Sequence, residues 1–229
     1  MDFLPLFIKT QNQRVLVVGS TPQAQRKVEL LLRTNVSLLL PIAFDGHSAL
    51  LDLPSLDLPH LEGKSRVSFY HDYAPSLMDD IDFVVAASDQ KGLDEQVAEA
   101  SAKRHIPVNV VNRPELSSFI FPSIINRSPI IAAISSGGEM PVLTRLLRNK
   151  LESTIPHGYG RLAEISAQFR KKVSEKYSAI NQRRRFWESH LEGRFADLVF
   201  AGKETEAKQL MSKSMDEEIL DSGEVYLVG

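Results

Sequence analysis

The sequence predicts an α/β protein: a mostly parallel sheet covered by helices on both faces, then a small α+β region, then a helical C-terminal domain. Two observations predict it. Short, wholly apolar runs alternate with amphipathic helical stretches through the first 113 residues. After Pro114 two apolar runs follow one another with no helix between them, and the chain is then helix-like to about residue 215.

RVLVVG (14–19) is an apolar run ending in glycine, as a strand buried on both faces should be. Pro22 stands where a first-turn proline is tolerated, and Ala24, Val28, Leu31 and Leu32 share one face of the helix that follows. VSLLLPIA (36–43) is the next strand, which completes a parallel crossover of roughly 30 residues. LDLPSLDLPHLEGK (51–64) repeats LDLP and reads as a surface insertion, since its prolines argue against a regular helix. RVSFYH (66–71), DFVVAAS (82–88) and PVNVVN (107–112) are three further strands. The amphipathic stretch 89–105 is a helix that Asp89 or Ser88 is placed to cap. FIFPSIINR (119–127) and PIIAAISS (129–136) suggest an antiparallel hairpin, SSGG (135–138) a turn, and Pro141 the first turn of another helix. Three glycine-separated helical stretches follow, and the acidic end closes on EVYLVG, a strand running into glycine like the first. Domain boundaries are expected after residue 113, near 156 and near 215.

The chain has 229 residues, 43% of them apolar and 24% charged, which suits a globular fold with a real core. It has no cysteine, which excludes disulfides, thiolate nucleophiles and Cys-ligated metals and fits a reducing, cytoplasmic setting. No apolar run has the ~18 residues that read as a membrane span, and MDFLPLFIKT lacks the basic start of a signal peptide. The six histidines form no H-x-H or H-x-x-x-H pair, so no metal site is signalled. No G-x-S-x-G elbow occurs.

Two regions carry candidate chemistry. Gly19 and Ala24 fill the first and third places of a G-x-G-x-x-G/A dinucleotide fingerprint, with Thr21 in the second. Pyrophosphate binds such a helix N-terminus through backbone N–H groups and the helix dipole. The same residues also suit an ordinary strand-to-helix turn. Asp45 is in range of a ribose hydroxyl, or is a solvated loop residue. The second region is 141–185, where eleven Lys and Arg face three Glu, an excess of eight positive charges in a chain of net charge −2. A solvated helical face, a polyanionic small molecule and nucleic acid all fit that excess; no groove-reading module and few aromatics accompany it. SSGG is an anion cradle or a simple turn.

The residues that carry most information resemble a known family. MDFLPLF, VLVVG with Ala24-Gln25-Arg26-Lys27, the long block NVVNRPELSSFIFPSIINRSPIIAAISSGGEMPVLTRLLRNKLE (109–152), QRRRFWE (182–188) and GEVYLVG are similar to the N-terminal half of siroheme synthase. That half is a precorrin-2 dehydrogenase and sirohydrochlorin ferrochelatase. The resemblance covers essentially all of the chain. It implies a Rossmann-like NAD-binding domain (1–113), a dimerisation region (114–156), a helical domain (157–215) and a remnant leading to an absent methyltransferase domain. It implies an intertwined homodimer that binds neither nucleic acid nor membrane, NAD as cofactor, an octacarboxylate tetrapyrrole (precorrin-2, then sirohydrochlorin) and Fe²⁺ as the substrate metal.

By position, Gly19, Thr21, Pro22, Gln23, Ala24, Ala43 and Phe44 would hold NAD. Ser135, Ser136, Gly137, Gly138 and Arg145 would hold the tetrapyrrole, and Ser136 matches a serine that is phosphorylated in the family. The chain departs from the family at Ser20 and Thr21, where glycines are usual, and at Asn126, where Asp is usual. It departs also at Asn112, in the place of an aspartate taken as the catalytic base. An amide cannot act as a general base. The resemblance therefore admits an active dehydrogenase and chelatase, a tetrapyrrole binder without turnover, or a ferrochelatase alone.

Overall fold

The computed structural model of the chain describes residues 2–41 and 67–216. It forms two compact units: Met1–Phe121 with Gly137–Met140, and Pro122–Ser136 with Pro141–Gly229.

The first unit contains β1 (Arg14–Val18), α1 (Pro22–Leu32), β2 (Ser37–Pro41), β3 (Val67–Tyr70), β4 (Phe83–Ala86), α2 (Leu93–Lys103) and β5 (Val108–Val110). The strands form one sheet in the order β3-β2-β1-β4-β5, every pair parallel. The Rossmann-like fold expected from the sequence is therefore present. Its strand order reverses between β1 and β4, and the carboxyl ends of those strands define the crevice where such sheets bind ligands.

Alternate residues of each strand face opposite layers. Val15, Val17, Leu38, Leu40 and Val85 pack with Ala24, Val28, Leu31 and Leu32 of α1. Leu16, Val18, Val84 and Ala86 pack on the other face with Val97, Ala98 and Ala100 of α2. Burial on both faces explains why these strands are continuous apolar runs in the sequence. Tyr70 anchors β3 by donating its hydroxyl to the Val17 carbonyl at 2.9 Å.

Two local expectations are corrected. α2 starts at Leu93, and neither Ser88 nor Asp89 caps it: Gly92, at φ +77°, precedes the first turn, while the Asp94 carboxylate reaches back to accept the Ser88 N–H at 3.0 Å. A left-handed residue at 92 breaks any helix begun earlier. The strand expected from 119 begins only at Ser123. Residues 117–119 instead run beside β5, where the Ser118 and Ser117 hydroxyls accept the N–H groups of Val108 (2.8 Å) and Val110 (2.9 Å). Side-chain oxygens thus cover a sheet edge that backbone would otherwise leave open.

The second unit opens with β6 (Ser123–Arg127) and β7 (Ile130–Ile134), an antiparallel hairpin as expected. α3 (Pro141–Thr154) is held to the hairpin by Arg148, whose Nε donates to the Ile124 carbonyl at 3.0 Å, and by buried Thr144 beside Ser123. α4 (Gly158–Lys176), α5 (Ile180–Leu191), α6 (Arg194–Phe200) and α7 (Glu204–Asp216) then enclose a core of Leu162, Ile165, Phe169, Val173, Phe186, Phe195, Val199 and Met211. The LDLP stretch and the EVYLVG strand lie outside the described residues.

Candidate functional site

The loop after β1 is built around Gly19. Its φ is +98°, and a Cβ placed there would stand 2.2 Å from the Ala87 carbonyl oxygen. Glycine is therefore required at the first place of the fingerprint, because the loops after β1 and β4 touch backbone to backbone. Ala24, in the third place, is fully buried where α1 packs on the sheet. Thr21 has extended backbone (φ −64°, ψ 161°) and caps α1: its hydroxyl accepts the Ala24 N–H at 3.2 Å and donates to the Ala87 carbonyl at 2.9 Å. Pro22 opens the helix without an N–H, and Gln23 follows, exposed. The glycine cradle, the small third residue and the open helix end fit a dinucleotide pyrophosphate. The second place departs from the fingerprint, since its side chain is spent on capping.

The loops after β4 and β5 line the same edge of the sheet. Burial pushes the Asp94 carboxyl above its ordinary value, outweighing the Ser88 N–H that favours its charged form. Arg113 joins Glu95 of α2 at 3.1 Å and also pairs with Glu115, which ties the β5 loop to the start of α2. Asn112 sits in that loop, exposed, at φ +62°. Asn and Asp are the non-glycine residues that best tolerate this region, so either residue fits the backbone. Gly137 and Gly138, at φ +70° and +92°, lie in the first unit against Phe3 and Pro114 respectively. The glycine half of SSGG is thereby brought within two residues of Asn112 along the chain. Ser135 and Ser136, at the end of β7, and exposed Arg145, on α3, belong to the second unit. Ala43, Phe44 and Asp45 lie outside the described residues.

The basic region is partly neutralised, mostly by ion pairs three or four residues apart on one helix. Arg148 pairs with Glu152, Arg161 with Glu164 and Glu204, Lys171 with Glu175 and Arg184 with Glu188. Lys176 donates to the carbonyls of Ser214 and Met215. Among the described residues, Arg145, Lys150, Arg170, Lys172, Arg183 and Arg185 are the cations of this region left without an ion pair. No cluster of three or more metal-binding side chains occurs among the described residues, and none of their helices is long and apolar enough to cross a membrane. Sequence reasoning missed Ala87 and Arg113, whose contacts with Thr21 and Glu95 join residues far apart in the chain, and Asp94, whose partner Ser88 lies six residues earlier and was read as a cap for α2 itself.

The fold and crevice define a class: a dinucleotide-binding α/β protein joined to a helical module. Residues 6–123, just over half of the chain, match the family described as "Putative NAD(P)-binding", and residues 158–215 match the one described as "Sirohaem synthase dimerisation region". The chain belongs to that NAD(P)-binding family, in a form that carries the sirohaem synthase dimerisation region. It is 48% identical over its whole length to a siroheme synthase of Hahella chejuensis and 42% identical to one of Nitrosospira multiformis. In each case it covers 48% of that protein, so the chain spans about half the length of the curated relatives it matches. A solved structure named "SirC, precorrin-2 dehydrogenase" shares the fold, with a TM-score of 0.62 at 16% identity, over 92% of this chain and all of the other.

Proposed function

We propose that this chain acts in siroheme biosynthesis: it oxidises precorrin-2 to sirohydrochlorin with NAD and inserts Fe²⁺, the substrate metal, into the product. The observation that carries the reading is the union in one chain of an NAD(P)-binding match and a sirohaem synthase dimerisation match, among relatives named siroheme synthase. Bound NAD would supply the hydride acceptor. Gly19, Gln23 and the start of α1 would hold its pyrophosphate, and by position Ala43 and Phe44 would be further NAD contacts. The oxidation removes two hydrogens from the macrocycle, one as hydride and one as a proton. Asn112, at the place of the family's base, can orient substrate through its amide but cannot take that proton, which passes to water or to another group. Ser135, Ser136, Gly137, Gly138 and Arg145 would bind the eight carboxylates, and the six unpaired cations give an electrostatic reason for capture of such an anion. Ser136 is also the proposed phosphorylation site, and the cytoplasm the proposed location.

A homodimer is part of this reading. Exposed Val142, Leu143, Leu146, Leu147 and Leu151 form one face of α3, and Ile130 and Ile131 lie exposed on β7. A contiguous apolar face of that kind marks an interface.

Anaerobic incubation of the purified chain with precorrin-2 and NAD⁺ tests the reading. NADH and sirohydrochlorin should appear in equal amounts, and no NADH with the protein in excess over substrate overturns it. Asn112 favours a second reading, tetrapyrrole binding without turnover. Asn112→Asp separates the two. Restoring a general base should raise the rate about 10²–10⁴-fold if the rest of the site is competent. Tight sirohydrochlorin binding with neither form turning over supports the second reading, and Fe²⁺ insertion without NAD a chelatase alone.

A further inference from the structure

We propose that Thr21 sets the affinity of the dinucleotide site by competing with the ligand for the N–H groups that open α1. The inference rests on the dinucleotide reading given above. A hydroxyl has one proton and two lone pairs. The Thr21 proton is committed to the Ala87 carbonyl at 2.9 Å, and one lone pair already takes the Ala24 N–H at 3.2 Å. Pro22 contributes no N–H, and the Gln25 N–H is bonded to the Thr21 carbonyl at 3.0 Å. Of the four residues that open the helix, Gln23 alone keeps an N–H that none of the described residues accepts.

A phosphate offers only acceptors. It gains the Ala24 N–H by displacing the Thr21 oxygen, and it gains the Thr21 proton by stripping the Ala87 carbonyl, which stands on a buried residue. Either exchange sets ligand binding against the bond that joins the loops after β1 and β4. Thr21 thus stabilises the ligand-free loop and weakens the ligand-bound one. A merely structural cap would behave differently, since its loss would loosen the loop and weaken binding together.

The test is calorimetric titration of the full chain with NAD⁺, paired with thermal melting in the absence of ligand. Thr21→Ala should bind NAD⁺ about tenfold more tightly, the worth of one hydrogen bond to a charged acceptor, and yet melt at a lower temperature. Thr21→Ser, which keeps the hydroxyl, should match the natural chain in both. Should Thr21→Ala fail to fold, Thr21→Gly carries the same expectation, because glycine is a tolerated N-cap. Unchanged or weaker NAD⁺ binding in the folded Ala or Gly variant overturns the competition while leaving the dinucleotide site intact. No heat from NAD⁺ with the natural chain or any variant removes the dinucleotide reading, and the inference with it.

Discussion

Asp94 shows how a single side chain can be stabilised and penalised at once. It accepts the Ser88 N–H and lies in the first turn of α2, yet desolvation dominates and raises its pKa. A raised folded pKa means that the native state holds this proton to higher pH than the unfolded chain does. Stability is then lost as pH climbs from the ordinary value of 3.8 through the folded value, and the loss is complete above it. Asn at this position can still accept the Ser88 N–H and carries no charge to desolvate. The melting temperature of Asp94→Asn relative to the natural chain should therefore rise between acid and neutral pH; a difference that stays flat or falls contradicts the assignment. Gly19 is a simpler case. A methyl group 2.2 Å from the Ala87 oxygen, on a residue at φ +98°, has no room and no allowed backbone. Gly19→Ala should cost at least about 2 kcal/mol in a urea unfolding series and abolish NAD⁺ binding.

Between residues and whole fold lie the elements, and here the sequence was most legible where burial was most uniform. β1, β2 and β4 are apolar on both faces and α1 carries its apolar residues on one, so periodicity alone located them. α6 was hidden because RFADLVF is only seven residues long and shows too little of a period, although Phe195, Ala196 and Val199 are buried in the bundle. Residues 119–122 were misread as the start of a strand because the apolar, β-prone run Phe119-Ile120-Phe121 continues without a break into β6, which begins only at Ser123. At the site, Gly19 and Ala24 were recognisable from spacing. Ala87 and Arg113 were not, since nothing in their neighbourhoods marks which distant residue they meet. The serine edge makes a prediction of its own: Ser117→Ala with Ser118→Ala leaves the Val108 and Val110 amides without those acceptors, at about 1–3 kcal/mol each if they stay buried. Hydrogen exchange at these two amides should accelerate while β1 amides remain protected, and uniform acceleration across the sheet would instead mean global destabilisation.

At the scale of the whole molecule the unresolved balance is between a stable chain and an apolar surface. Among the described residues, the first unit packs a core on each face of its sheet. The second unit closes only its helical end. α3 turns Thr144 and Arg148 toward the hairpin and leaves Val142, Leu143, Leu146 and Leu147 between 41% and 58% exposed, spaced three and four apart as one continuous stripe. A monomer that hid this stripe would need an element that the described residues do not supply, whereas a second copy supplies an identical stripe by two-fold symmetry. Val142→Glu with Leu146→Glu places two like charges at the centre of that contact from each protomer. Light scattering should then give half the molar mass of the natural chain. Since both residues are exposed on α3, far-ultraviolet circular dichroism should keep its helical signal. An unchanged mass in the charged variant would place the interface elsewhere on the molecule, within 158–215 by the family match.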